Sequence, residues 1–214
     1  NTITLNGNIS FTGKEALYFG ENSNNNTITL NGNISTTGQG ALGLYFVGGS
    51  SGNKTTINGN ITTTGLASRA FEVENADSNT FIINGNIITT QAYSLGVRLS
   101  GGGGHNITIN GNIITLGNYD AEPINLRGSA DNTFTLSGAV HSLGGDQAIT
   151  LYRFADNNTF ILKRGVSFIG GLENNGTTNN TLRFDMGKAS SYNLGTDGTT
   201  WTLEDTSKPI IEGS

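Results

Sequence analysis

The chain is predicted to fold as an all-β, right-handed parallel β-helix, with about eight coils of roughly 26 residues and three strands per coil. Three observations predict it. A near-identical unit recurs along the sequence, apolar and polar residues alternate inside each unit, and Gly- and Asn-rich turns fall between the alternating segments.

The recurrence is plainest at Asn-Gly-Asn, which stands at Asn6-Gly7-Asn8, Asn31-Gly32-Asn33, Asn58-Gly59-Asn60, Asn84-Gly85-Asn86 and Asn110-Gly111-Asn112. Ser137-Gly138-Ala139 and Lys163-Arg164-Gly165 are worn copies. Their central residues are 25, 27, 26, 26, 27 and 26 apart, and an eighth unit opens at Asn180-Thr181-Leu182 without the tripeptide.

The period-2 alternation marks strands rather than helices. In the first strand the inward columns are expected to be Ile3, Ile28, Thr55, Phe81, Ile107, Phe134, Phe160, Leu182 and, two residues on, Leu5, Leu30, Ile57, Ile83, Ile109, Leu136, Leu162, Phe184. The second strand should point Ile9, Ile34, Ile61, Ile87, Ile113, Val140 and Val166 inward. A third carries Leu17/Phe19, Leu44/Phe46, Phe71/Val73, Val97/Leu99, Ile124/Leu126 and Ile149/Leu151. No coil buries these columns alone, so the unit must stack, and stacked asparagines can form side-chain ladders. The glycine of the tripeptide is expected to serve a turn at positive φ.

A leucine-rich repeat has a similar period and matches Ile28-x-Leu30-x-x-Asn33. It needs apolar residues where Asn25 and Ser35 stand, and no stretch between the tripeptides carries a helical apolar stripe. Residues 1–184 are therefore read as coils. Residues 185–214 are read as a terminal coil and cap, in which Trp201 plugs the end.

With 214 residues, 32 Gly, 2 Pro and no cysteine, the chain is one repetitive domain without disulfides, thiolate metal sites or a cysteine nucleophile. A net charge of −5 with 13% charged residues leaves no basic excess for nucleic acid. No apolar run approaches the ~20 residues of a membrane helix, so direct membrane insertion is not expected. Asn1 already lies inside a coil, so the chain reads as a fragment of a longer protein.

Enzymatic β-helices that cleave polysaccharides need carboxylates, or a carboxylate–Arg set, on one face. Asp77, Asp131 and Asp156 each precede the Asn that opens a coil and suit turn capping. Glu72/Glu74 and Asp120/Glu122 are same-face pairs with no matching pair in the next coil. His105 replaces an Asn of the repeat, and neither it nor His141 has metal-ligand spacing. Gly101 to Gly104 lacks the Lys and following helix of a phosphate loop. The outward Thr-x-Thr columns resemble ice-binding arrays, but Lys54, Ile82, Ile161 and Arg183 interrupt them. No catalytic residue, cofactor or metal is assigned, and the chain is not expected to be an enzyme. What remains is a loose file of Arg98, Arg127 and Arg153 with Tyr152 beside the last, able to engage sulfate or carboxylate groups.

The unit Asn26-Thr27-Ile28-Thr29-Leu30-Asn31-Gly32-Asn33-Ile34-Ser35-Thr36-Thr37-Gly38 resembles repeats in the passenger domains of Gram-negative autotransporters. Leu194-Gly195-x-x-Gly198-x-x-Trp201-x-Leu203 resembles the stretch that closes many such passengers. The resemblance implies a bacterial surface or secreted protein, exported through the periplasm and outer membrane. Such passengers mostly act as adhesins, self-association factors or toxins, and a minority carry a separate protease domain; the activity expected here is adhesion to a host-cell protein or glycan, or self-association. A receptor-activating effector and a polysaccharide lyase or hydrolase are the alternatives.

Overall fold

The computed structural model describes residues 1–175, 177–185, 191–193, 202–205 and 210–212. Every regular element among them is a β-strand. Three parallel sheets run along the molecule, and each coil contributes one strand to each. Chain order within a coil is first, second, third sheet, as in Thr27–Asn31, Ile34–Thr36 and Leu42–Val47. Seven coils carry all three sheets. The first sheet has nine strands, continuing through Thr181–Asp185 and Thr202–Asp205.

Stacking in register places like on like, as the inward columns require. Ile28 pairs with Thr55, Phe81 with Ile107 and Phe134 with Phe160. These side chains are fully buried, and each buried apolar one is worth roughly 1.5–3 kcal/mol against exposure. Phe134 and Phe160 stack at 4.9 Å with their planes 12° apart, and Phe19 on Phe46 at 4.2 Å and 11°. In the seventh coil Val166 is buried in the core as its column expects, but the paired strand lies two residues on. Phe168, not Val166, pairs with Val140, because Lys163-Arg164-Gly165 closes a turn in which the Val166 amide donates to the Lys163 carbonyl.

The tripeptide glycines are needed for a different reason than expected. Gly7 has a φ of 124°, but Gly32, Gly59, Gly85 and Gly111 are absent from the left-handed region. A Cβ on any of these four would overlap the carbonyl of the stacked glycine one coil back. Close approach of backbones selects glycine here, not handedness.

Asparagine ladders line the turns. Asn31, Asn58, Asn84 and Asn110 each donate Nδ2 to the Oδ1 of the coil before, at 2.7–2.8 Å. A second ladder, Asn26, Asn53, Asn79, His105, Asn132, Asn158, Asn180, stands where the turn after the third sheet re-enters the first. Each backbone N–H donates to the side chain one coil on. From Asn53 on, this ladder is buried, so the backbone donors inside it depend on those side chains.

The outer faces differ. The first sheet shows Thr29, Thr56, Ile82, Thr108, Thr135, Ile161 and Arg183, and the second shows Ser35, Thr62, Ile88, Ile114 and His141. Charged and aromatic side chains gather on the third.

Candidate functional site

On the outer face of the third sheet one column reads Tyr18, Tyr45, Glu72, Arg98, Asn125, Thr150, Glu173. The column two residues further along each strand reads Val47, Glu74, Ser100, Arg127, Tyr152. Period-2 alternation sends these side chains outward, away from Leu44, Phe71, Val97 and their neighbours in the core.

Between coils three and six the face is hollowed into a groove of about 310 Å³, lined by Arg69, Arg98, Arg127, Asp120, Glu122, Asn125, Tyr93 and Tyr152 among others. Its floor is built from polar groups that have left water. Glu72 is 1% exposed, yet it accepts from Arg69 Nη1 at 2.9 Å and from Arg98 Nη1. Glu122 is 4% exposed and accepts from Asn125 Nδ2, from Thr150 Oγ1 at 2.7 Å and from the Tyr152 hydroxyl at 3.4 Å. Burial raises the Glu122 pKa. The Asn125 and Thr150 hydrogen bonds oppose that shift, while Asp120 and Asp146 add to it.

Tyr152 is held above the ordinary phenol range, at about 12, by burial first and then by Glu122. It stays a neutral donor to that carboxyl at all physiological pH. Arg127 lies over its ring, with Cζ 4.8 Å from the centroid. Further toward the first coil, Tyr45 donates to Glu74 Oε2 at 2.6 Å, and burial raises its pKa ahead of that bond.

Of the four residues singled out from sequence, three meet here: Arg98, Arg127 and Tyr152. They do not form a single file, since Arg98 pairs with Asn125 and Arg127 with Ser100. Arg153 follows the strand into the next turn. There it lines a separate hollow with Phe154, Asp156, Asn174, Asn175 and Thr178.

Sequence reasoning did not assign Arg69, Tyr93 or Asn125, and treated Glu72 and Glu122 as unmatched. Glu72 is matched by opposite charge, from Arg69 on its own strand and Arg98 one coil on, and Glu122 by the neutral donors Asn125, Thr150 and Tyr152, rather than by a repeated acid pair. His105 is buried in the inner ladder, where its Nδ1 accepts the Asn79 amide at 3.2 Å. Burial lowers its pKa to about 4, against the pull of Asp77 and the Ala76 carbonyl.

No known protein family, curated protein or solved structure matches the chain. The fold is a parallel β-solenoid. Any functional assignment therefore rests on the groove and on the resemblance of the repeats.

Proposed function

We propose that the chain is an extracellular binding module of a bacterial autotransporter passenger, which attaches to host-cell protein or glycan or to another copy of itself. The observation that carries this reading is the asymmetry of the three outer faces. Two repeat Thr, Ser and Ile over most coils, broken singly by Lys54, Arg183 and His141, while the third gathers Arg, Glu, Asn and Tyr from four successive coils around one groove. A stack needs no such departure to hold together, so the departure is read as selected for contact.

Binding is favoured over turnover by how the groove's best-placed acid is used. Glu122 is committed to Asn125, Thr150 and Tyr152, which fixes the floor rather than leaving a carboxyl aimed at a substrate. An effector that activates a receptor would use the same surface and differ only in consequence.

The test is attachment of purified chain to cultured host cells, with attachment and intracellular signalling scored separately. Arg127→Ala with Tyr152→Ala should reduce attachment, whereas Thr108→Ala with Thr135→Ala on the first sheet should not. Equal attachment by both variants, or cleavage of a cell-surface glycan by the wild type, would overturn the reading.

A further inference from the structure

The rim of the groove is strained in a way the fold does not need. Where the second sheet turns into the third, a column of left-handed residues runs Gly40, Ala67, Tyr93, Tyr119, with φ of 65°, 53°, 58° and 56°. Backbone bonds stack these turns, Gly40 N–H to the Leu66 carbonyl, Ala67 to Ala92 and Tyr93 to Tyr119. Glycine is the residue such a turn favours, and a bulky aromatic there is an outlier. Both tyrosines are nonetheless turned to solvent, 50% and 65% exposed, their rings 6.1 Å apart and 21° from parallel. Strained, exposed aromatics beside a groove are a recurrent mark of ligand contact.

The cations of the groove are not equivalent. Arg69 and Arg98 converge on Glu72. Arg127 has no ion pair among the described residues and is exposed, backed only by the Tyr152 ring. One guanidinium without an ion pair is thus presented between aromatic faces and the acceptor Asp120.

We propose that this groove binds a carboxylate-bearing sugar, with Arg127 taking the carboxylate, the Tyr93–Tyr119 pair stacking on the C–H face of the ring, and Asp120 and Asn125 meeting hydroxyls. A guanidinium holds a carboxylate with two parallel N–H donors. A polyanion such as a sulfated chain or an acidic peptide would need several free cations and would meet Asp120 and the chain's net charge of −5. A sugar acid needs one cation, and its hydroxyls donate to acids. The volume of about 310 Å³ lies at the small end of ligand sites and suits a short segment of chain.

The assignment rests on the binding-module reading above. Its test is calorimetric titration of the whole chain with methyl α-galacturonide and with 3′-sialyllactose, against methyl α-galactoside and lactose as neutral counterparts. At least one acidic probe should bind, and which one identifies the source of the carboxylate. Arg127→Gln should weaken it by about tenfold or more, the loss of a charge-assisted pair. Tyr93→Gly should weaken it severalfold while leaving the melting temperature unchanged or higher, which no merely structural role for Tyr93 would produce. Equal binding of acidic and neutral probes, unchanged affinity in Arg127→Gln, or no binding of either acid would overturn the assignment. Cell attachment is measured on the same preparations. Attachment without saccharide binding overturns this inference alone, and loss of both overturns the module with it.

Discussion

Arg127 and Tyr152 are register partners on neighbouring coils, and the guanidinium of the first lies 4.8 Å from the ring centroid of the second. Such a contact contributes roughly 0.5–1 kcal/mol at an exposed site. A double-mutant cycle with Arg127→Ala and Tyr152→Ala, read by urea unfolding, should give a coupling energy of about that size. Strictly additive losses would mean the pair is not formed in solution.

His105 makes stability pH-dependent. The unfolded chain takes up a proton at this residue below about pH 6.5, and the folded chain only near pH 4. Stability is therefore complete above pH ~6.5 and should fall by about 3 kcal/mol in total as pH drops through that window. Asn stands at this rung in the neighbouring coils, so His105→Asn keeps a side-chain acceptor for the Asn79 amide. Unfolding at pH 7 and at pH 4.5 should show the acid loss shrinking in the variant, and an unchanged loss would place the sensitive group elsewhere.

Backbone stacking predicts a contrast between glycines. Gly85→Ala drives a methyl into the Gly59 carbonyl and should cost about 3 kcal/mol, the upper end for overpacking. Gly40→Ala meets open space but lies at φ 65°, so its cost should be only about 1–2 kcal/mol. Melting temperatures of the two variants, measured side by side, check the order. The reverse order would refute the close-approach account.

The two ladders should also part company. Asn132→Ala strips the His105 amide of its buried acceptor, leaving a donor without water, at about 1–3 kcal/mol. Asn84→Ala breaks two exposed bonds, to Asn58 and from Asn110, that water can replace, and should cost about 1 kcal/mol or less. Hydrogen exchange at His105 gives a second readout, expected to accelerate only in the first variant.

The inward columns were legible because stacking forces repetition. Once Leu30 sits above Ile57 and Ile83, the period shows in the letters. Val166 points into the core as read, and only the paired residue differs, because the worn turn before it shifts the paired strand by two residues and a two-residue slip keeps the in–out alternation. The tripeptide glycines were identified but misexplained, since backbone approach between coils leaves no mark that distinguishes it from positive φ. The groove was half legible. Arg98, Arg127 and Tyr152 stood out as departures from the repeat. Their grouping with Glu72, Glu122 and Tyr93 needs the lateral register, in which Arg98 faces Asn125 and not Arg127. Tyr93 carried a signal that could have been used, an aromatic in a column that begins Gly40 and Ala67. The Trp201 plug and the terminal Leu194 to Gly198 stretch lie outside the described residues.

The asparagine ladders and sheet bonds run along the axis of the stack, while the chain itself winds across it. A pull on one end therefore loads the bonds of a single terminal coil rather than all coils together. Peeling that coil would release about 26 residues, roughly 90 Å of chain where one ~4.8 Å rung had been. A stack built this way lengthens stepwise under load, and the groove on coils three to six keeps its shape until the coils beyond it have come away.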